Sequence, residues 1–529
     1  MESVDAVIIG AGHHGLVTAA YLADAGWDVL VVEERDRVGG AVASRSSEGW
    51  IEDEFSACHP LAMASPVLRE LDLEAHGLQW AQAERPLAHV AGPGEGGVAL
   101  HADAEATAAG LDREHPGDGR EWLRMVEQWG RVRDPLLAAL LTRWPPIKDA
   151  ARVLARLGLR EAPDLARLAV LPVTQLAAES FGGRGAGQLL AGNAMHADIP
   201  PTSAGSGLYG WLMTMLCQEV GFPSPKGGTR ELAEALRRRA ESAGARVETG
   251  AAVERIVVAS GRVHGVELAD GRRIRARRAV VADTSAQALY ERLLDPDCVP
   301  DGLRRRMQRF TWDLPTLKLN LRLDAPMPWT ASAARGAGVV HVGQDLPGLV
   351  RWSADLESDV VPERPFSLVG QMTTIDPSRS PAGTEALWLY THLPRGRHDD
   401  PAAAREVVAG VEDMLESLAP GWSAHEVGRW VQTPRDLQAA DANLGHGAVG
   451  GGTQQLFQQA IWRPTTGLGG PRTHVAGLYL GSAATHPGGG VHGGCGFLAA
   501  RAALQDSRWW GRPRQRLLLS TLQRLHDAR

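Results

Sequence analysis

Asp5-Ala-Val-Ile-Ile-Gly-Ala-Gly-His-His-Gly15 opens the chain and decides its fold. The apolar run that ends at Ile9 is typical of a buried parallel strand. After the glycine-rich turn, Leu16 to Gly26 carries apolar residues at helical spacing, and a second apolar run, Val29 to Val32, ends on Glu33. Strand, G-x-G-x-x-G turn, helix and strand in this order predict a Rossmann-like dinucleotide-binding unit.

Each residue type in this turn has a physical role in such a unit. Gly10 permits the tight turn, Gly12 lets the backbone approach a pyrophosphate, and Gly15 lets the helix pack closely on the strand. The helix that begins near His13 offers amide donors and the positive end of its dipole to the phosphates. Glu33 is placed to accept a hydrogen bond from the adenosine ribose. The alternative is a glycine-rich turn that binds no ligand.

The segment after Glu33 points to one particular dinucleotide. A second glycine pair, Gly39-Gly40, brings two residues without side chains back across the pyrophosphate. Gly-Ala-Gly-His-x-Gly-Leu followed by Glu-x5-Gly-Gly resembles the FAD-binding N-terminus of the phytoene-desaturase-like flavoproteins. It is most similar to the branch named for a pyridine nucleotide-disulphide oxidoreductase domain, which usually has Asn where this chain has His14. The resemblance implies FAD as the cofactor and adds to its binding residues Glu34, Arg35, Gly39, Gly40, Ala41, Val42 and His59.

Composition limits the class of protein. A chain of 529 residues is too long for one core, and its 44% hydrophobic and 22% charged content is ordinary for a soluble globular protein. A net charge of -7 argues against a nucleic-acid partner. The four cysteines are scattered, which argues against a disulfide framework, a metal site or a redox dithiol. We therefore expect a cytoplasmic protein without a metal.

The resemblance covers residues 1 to about 505 and implies an α/β fold in which two domains alternate along the chain. The expected FAD-binding domain, of the glutathione-reductase type, comprises 1–75, 222–300 and 472–505. The expected α+β substrate domain comprises 76–221 and 301–471, with a mixed sheet and a helical insert. The basic amphipathic tail, 506–529, has the features of a membrane-surface segment, although docking on its own protein or on a second copy is commoner.

Two later segments complete the expected FAD site. The resemblance implies that the backbone of Val253 contacts the adenine, and that Thr485-His-Pro-Gly-Gly-Gly-Val-His492 lies beside the flavin. His486 and His492 flank that glycine turn as candidate catalytic residues, and loop histidines satisfied by backbone are the alternative. Ser482 stands where many relatives carry an acid for the ribityl chain. The further cofactor-binding residues are Gly481, Ser482, Pro487, Gly489, Gly490 and Val491.

The clearest alternating strand of the sequence carries the third catalytic candidate. From Thr316 to Leu323, four leucines share one face, and Lys318 lies on the polar face with Asn320. Such a face borders either solvent, the default for a lysine, or a polar cavity. The resemblance favours the cavity, because amine-oxidase-like relatives use a lysine at the comparable place to hold a water near flavin N5.

These expectations combine into one leading function. We expect an FAD-dependent oxidoreductase that forms a C=C bond in a largely apolar small molecule by hydride transfer to flavin N5. The sequence holds one dinucleotide fingerprint, so it shows no separate domain for NAD(P)H. Oxygen or a quinone is therefore the expected electron acceptor. Three alternatives stay open: a C–N oxidase of the amine-oxidase type, whose aromatic pair is not recognisable in the sequence, a redox-neutral isomerase, and a flavin-binding protein without catalysis. Substrate identity and oligomeric state are not encoded in any motif.

Overall fold

The computed structural model describes residues 2–158, 160–508 and 521, so most of the predicted tail lies outside the described residues. The strands are β1 (Glu2–Ile9), β2 (Val29–Val32), β3 (Ser44–Ser47), β4 (Trp50–Asp53), β5 (Trp80–Ala81), β6 (Arg85–Val90), β7 (Val98–Leu100), β8 (Ser224–Pro225), β9 (Arg246–Glu248), β10 (Val253–Ala259), β11 (Arg262–Leu268), β12 (Arg273–Ala282), β13 (Thr316–Leu323), β14 (Ala337–Val342), β15 (Ser367–Gln371), β16 (Glu385–His392), β17 (Glu426–Gln432) and β18 (Leu478–Leu480). The α-helices are α1 (His13–Asp24), α2 (Pro60–Ala64), α3 (Pro66–Glu70), α4 (Ala104–Glu114), α5 (Asp118–Leu141), α6 (Ile147–Leu157), α7 (Ala162–Leu168), α8 (Val173–Ser180), α9 (Gly185–Ala194), α10 (Ser206–Val220), α11 (Arg230–Ser242), α12 (Asp301–Met307), α13 (Leu346–Glu357), α14 (Met372–Ile375), α15 (Pro401–Leu418), α16 (Pro434–Ala440) and α17 (Gly494–Ser507).

The first large sheet has the strand order β10-β11-β12-β1-β2-β9, with β18 beside β12. Its central pairs, β12 with β1, β1 with β2 and β2 with β9, are parallel, and β10 to β12 form an antiparallel meander. Both faces of the parallel strands are covered: Ile8 packs with α1, α11 and α17, and Val7 packs with β10 and β11. Burial on two sides explains why β1 and β2 are continuous apolar runs. The predicted Rossmann-like α/β fold is confirmed.

The second large sheet has the order β17-β13-β16-β15-β14-β6-β7 and is mixed, because β14 pairs parallel with β6 while its other pairs are antiparallel. The four leucines of β13 pack on one face with α15. The opposite face is buried as well, since Lys318 is 2% exposed and Asn320 is 1% exposed. The solvent reading of this polar face is therefore wrong, and β13 borders the interior on both sides.

Helices dominate between residues 104 and 220, within the part of the chain where a helical insert is expected. Helices α4 to α10 enclose a core with Trp122, Trp129 and Trp211 and pack against β6 and α13. Among the described residues, no helix combines the length and the apolarity needed to cross a bilayer. The four cysteines are all free thiols, as their scattered positions predict.

Candidate functional site

A cavity of about 680 Å³ is lined by residues from both large sheets and from the helices around α10. Four strands of the first sheet, β1, β2, β12 and β18, end at the same level beside this cavity. Ile9 pairs with Val32 and with Ala282, and Ala282 pairs with Leu480. Residues that follow these carboxyl ends therefore meet at one edge of the sheet, where open α/β sheets bind ligands. Most of the residues predicted from sequence line the cavity: Gly10, Gly12, His13, Glu33, Glu34, Arg35, Gly40, Ala41, Val42, His59, Val253, Lys318, Ser482, Pro487, Gly489, Gly490, Val491 and His492.

The remaining four predicted residues, Gly15, Gly39, Gly481 and His486, lie outside the cavity wall that the described residues form. Gly15 supports the turn, because a Cβ there would lie 2.2 Å from the Gly10 carbonyl oxygen. A Cβ on Gly481 would be 3.0 Å from Val281, so this glycine packs on the sheet. Gly15 and Gly481 therefore fit close backbone packing rather than contact with a ligand.

The glycine-rich turn has the geometry that a dinucleotide needs. Gly10 has φ +94°, and Gly39 has φ +116°, a conformation that residues with side chains rarely adopt. The amide of Gly39 donates to the Ala11 carbonyl at 2.9 Å, which brings the second glycine pair against the first turn. Because Gly12 and Gly40 both line the cavity, bare backbone borders the cavity at the N-terminus of α1. This cradle fits the pyrophosphate of FAD.

Glu33 is held in place by backbone donors. Its carboxylate accepts hydrogen bonds from the amides of Ala11 at 2.7 Å and Arg35 at 3.0 Å. A carboxylate has about four acceptor positions, so capacity remains for a ribose hydroxyl. This geometry fits the predicted role of Glu33.

The predicted histidines divide into two groups. His13 and His59 line the cavity, and each has a buried Nε2 without a hydrogen-bond partner among the described residues. Burial lowers the pKa of both to about 4, so both are neutral at physiological pH. A neutral ring nitrogen that is buried without a partner is expected to find one in a ligand. These two side chains therefore fit a bound FAD.

The other two histidines are held by the chain itself. His492 Nδ1 accepts from the Gly494 amide at 3.0 Å, and its Nε2 lies 3.2 Å from the Gly488 carbonyl oxygen. His486 Nε2 lies 2.9 Å from the carbonyl oxygen of Thr142. This geometry favours the alternative of loop histidines satisfied by backbone, and a catalytic role for either stays a prediction.

Three side chains in the same region have the spacing of metal ligands. The ligand atoms of His14, His492 and Cys495 are within 4.8 Å of one another. Both ring nitrogens of His492 are occupied by backbone groups. The Cys495 thiol contacts the carbonyl oxygens of Gly488 at 3.5 Å and Thr485 at 3.7 Å. We assign no metal to these side chains.

Lys318 lies on the cavity wall, in the second sheet. Its Nζ donates to the Asp53 carbonyl oxygen at 2.7 Å and is 3.4 Å from Gln432 Oε1. Burial lowers the pKa of Lys318 to about 7, although the nearby Asp53 opposes the shift. The side chain can therefore gain or lose a proton near neutral pH, which suits acid–base work.

Asp283 is a cavity residue that the sequence prediction missed. It follows β12 directly, and its carboxylate accepts from the Gly15 amide at 2.7 Å. Burial raises the pKa of Asp283 to about 8, and the neighbouring Asp441 adds to this shift. Asn443 donates to the Asp283 carbonyl oxygen at 3.3 Å and accepts from the Ser285 amide at 2.8 Å. The position of Asp283 after a buried strand was the available signal, because carboxyl ends of strands build such sites.

The rest of the cavity wall combines a large apolar part with several polar side chains. Aliphatic and aromatic side chains from the helical layer and the second sheet include Leu140, Leu141, Leu208, Leu212, Met213, Phe222 and Val339. Polar side chains interrupt them at Asp198, Asp313, Thr316 and Tyr390. The rings of Trp388 and Tyr390 are 5.1 Å apart on the same wall. No motif marked these residues, because they meet only through the fold.

Comparison with known proteins gives concordant results. The rat protein called pyridine nucleotide-disulfide oxidoreductase domain-containing protein 2 is 28% identical over 95% of this chain and 93% of its own. The zeta-carotene-forming phytoene desaturase of Myxococcus xanthus is 28% identical over 92% of this chain and 90% of its own. A solved structure of a putrescine oxidase variant superposes with a TM-score of 0.60 at 16% identity, covering 95% of this chain and 98% of that chain. The last likeness shows the fold alone.

A protein-family model matches most of this chain. The model described as flavin-containing amine oxidoreductase matches residues 15–504, which is most of the chain. The glycine cradle, Glu33 and the unpartnered nitrogens of His13 and His59 fit FAD, the cofactor that the sequence resemblance implies. The protein therefore belongs to the family of flavin-containing amine oxidoreductases and has FAD as its cofactor.

Proposed function

We propose that this protein is an FAD-dependent dehydrogenase that forms a C=C bond in a largely apolar small molecule. The observation that carries the proposal is the continuity of one cavity, in which the glycine cradle joins a wall of leucine, methionine and phenylalanine side chains. An apolar wall of this kind binds an apolar substrate by removing its surface from water. The name of the phytoene desaturase relative, which covers 92% of this chain, supports the same reaction class.

Different residues of the chain would bind the cofactor, exclude water and hold a proton. Bound FAD supplies the hydride acceptor. The glycine cradle and Glu33 bind and orient the cofactor, and the side chains around Leu212 exclude water from the substrate. Lys318, with its pKa lowered to about 7 by burial, holds or releases a proton at Nζ on the cavity wall. We propose oxygen or a quinone as the final electron acceptor.

The test is anaerobic bleaching of the protein's flavin absorbance by a panel of polyene, terpenoid, cyclohexenoid and amine compounds. We expect at least one compound from the first three classes to bleach the flavin and to yield a product with one additional C=C bond. Bleaching by amines alone would overturn the proposal in favour of C–N oxidation. A substrate isomerised without net bleaching would identify a redox-neutral isomerase.

C–N oxidation remains the second candidate because of one structural observation. Trp388 and Tyr390 form an aromatic pair on the cavity wall, next to Lys318 in the sheet. The family resemblance implies an aromatic pair in an amine-oxidase-type site, and this pair was not recognisable in the sequence. The amine arm of the panel decides between the two reactions.

A further inference from the structure

One part of the cavity wall is polar although the rest is mainly apolar. Thr316 and Asp198 line the cavity there, and His392 lies directly behind Asp198 with its Nε2 2.9 Å from the carboxylate Oδ1. The three side chains are between 2% and 7% exposed. We call Asp198, Thr316 and His392 the polar pocket. The proposed reaction does not use these groups.

The fold brings the polar pocket together from distant parts of the chain. Thr316 on β13 is the cross-strand partner of His392 on β16, and Lys318 is the partner of Tyr390 two residues further along. Two residues along a strand correspond to about 7 Å, so the polar pocket lies about that far from the Lys318 row. Asp198 ends the segment after α9 with φ +52°, a conformation that Asp tolerates better than most residues. This backbone turn directs Asp198 to His392 across the cavity wall.

The hydrogen-bonding capacity of the polar pocket is only partly used. Thr316 Oγ1 is buried without a hydrogen-bond partner among the described residues, although Thr316 lines the cavity. Buried hydroxyl groups in native proteins nearly always have a partner. The missing partner is therefore expected to be a molecule that enters the cavity, because Thr316 and Asp198 face it.

The donors and acceptors of the pocket narrow the chemistry of that molecule. The Thr316 hydroxyl can donate or accept a hydrogen bond, whereas the Asp198 carboxylate only accepts. Burial alone would lower the pKa of His392, but the Asp198 carboxylate beside it, with help from Asp313, raises it. A hydroxyl or a ketone of the substrate can accept a hydrogen bond from Thr316, whereas an ammonium ion has no acceptor to offer.

Resting on the dehydrogenation proposed above, we propose that the substrate is an apolar skeleton that carries one neutral oxygen function, a hydroxyl or a ketone, bound at Asp198 and Thr316, with His392 behind Asp198. A pure hydrocarbon would leave these groups unpaired in the occupied cavity. The hydrogen bonds orient the skeleton, because they fix one end of it about 7 Å along the sheet from the Lys318 row. The polar pocket thus determines specificity and the position of the reacting carbons.

The experiment compares compounds of identical carbon skeleton on the FAD-loaded protein. Each terpenoid or cyclohexenoid set contains a hydrocarbon, its alcohol, its ketone and its primary amine. Binding is measured by perturbation of the flavin absorption spectrum, and reduction is measured separately by anaerobic bleaching. We expect an alcohol or ketone to bind at least about tenfold more tightly than its hydrocarbon. If no oxygenated compound in any set binds more tightly than its hydrocarbon, the inference is wrong.

Variants test whether the preference for oxygenated compounds arises in the polar pocket. Thr316→Val keeps the branched shape and removes the hydroxyl, so the preference for the oxygenated compound should fall several-fold while hydrocarbon affinity stays unchanged. Asp198→Asn should reduce the preference for the alcohol as well, because it removes a carboxylate acceptor from the cavity wall. Thr174→Val in α8 is the matched control and should leave the preference intact. An unchanged preference in both pocket variants would place the oxygen function elsewhere and overturn the assignment.

The two readouts separate this inference from the proposed function. Equal binding of hydrocarbon and alcohol, with bleaching by both, overturns the polar pocket and leaves dehydrogenation standing. Preferred binding of alcohols that never bleach the flavin, combined with bleaching by amines, overturns dehydrogenation and leaves the polar pocket standing.

Discussion

The turn from β1 into α1 and the polar pocket are built in opposite ways. The turn consists of consecutive residues that form the site through their backbone geometry. Gly10, with φ +94°, is one example. The polar pocket is made of side chains from residues 198, 316 and 392, which lie far apart in the chain. A site that depends on local backbone geometry can be recognised from the spacing of its residues in the sequence. A site assembled from distant side chains can be recognised only in the folded structure. Mutations should affect the two kinds of site differently.

The largest effect is expected at Gly12. A Cβ there would lie 2.6 Å from Asp283 Oδ2 and would also enter the cradle for the pyrophosphate, so Gly12→Val should give protein without FAD. The measurement is the flavin absorbance of the purified protein together with its circular dichroism. Gly130→Ala is the control, because this helical glycine has no atom within 4 Å of an added Cβ. A folded, yellow Gly12→Val protein would show that the cradle is misplaced.

The second effect concerns the ion pair between Arg379 and Asp53, whose side chains are both 0% exposed. Arg379→Met leaves the Asp53 carboxylate buried without its charged partner, which costs about 3–5 kcal/mol in typical buried pairs. We expect a clear shift of the denaturation midpoint to lower denaturant concentration. The matched control is Arg429→Met, because Arg429 pairs with Glu426 on the surface and is 42% exposed. Equal shifts in the two variants would contradict the assignment.

The third effect tests Lys318 by chemistry rather than by stability. Lys318→Met keeps the volume of the stem and removes the amine, so FAD should stay bound. Either flavin reduction or reoxidation should slow by more than about tenfold, equivalent to about 1.4 kcal/mol. Stopped-flow measurement of each half-reaction checks this. Lys226→Met is the control, since Lys226 is exposed, and wild-type rates in both half-reactions would exclude Lys318 from the chemistry.

The pH dependence gives Lys318 a second signature. Its lowered pKa of about 7 means that the ammonium form prevails below pH 7 and the neutral amine above it. If the neutral amine accepts the proton, the rate should rise as pH passes through about 7 and then level off. Lys318→Met should lose this step while other titrations remain. A step of equal size in the variant would assign it to another group.

The smallest effect distinguishes the two groups of histidines. His59→Ala removes a ring nitrogen that has no partner in the part of the chain that the structure describes, so FAD should bind about two- to tenfold more weakly if one hydrogen bond of about 0.5–1.5 kcal/mol is lost. His492→Ala removes a ring that the backbone holds and should change FAD affinity less. Equilibrium titration of the FAD-free protein checks both. Weaker binding in His492→Ala than in His59→Ala would reverse the two assignments.

The comparison also explains how much the sequence alone predicts. Gly10, Gly12 and Glu33 were predictable because their spacing follows from one local path of the backbone. Strand β13 was predictable from its alternation, but the burial of its polar face was not, because that depends on β4 packing against it. Asp198 and His392 carried no signal at all, since only the pairing of β13 with β16 and the turn after α9 bring them together.

Asp53 has a mechanical consequence. Its carboxylate accepts from the Thr229 amide at the start of α11 and pairs with Arg379, while its carbonyl oxygen accepts from Lys318 on the second sheet. Because Thr229 lies beside the first sheet and Lys318 and Arg379 lie at the second, a rotation of one sheet against the other would break at least one of these buried contacts. Asp53 therefore restricts movement of the two sheets relative to each other. We therefore expect substrate to enter by displacement of the helices around Leu141 and Leu212, while the frame that aligns cofactor and lysine stays rigid.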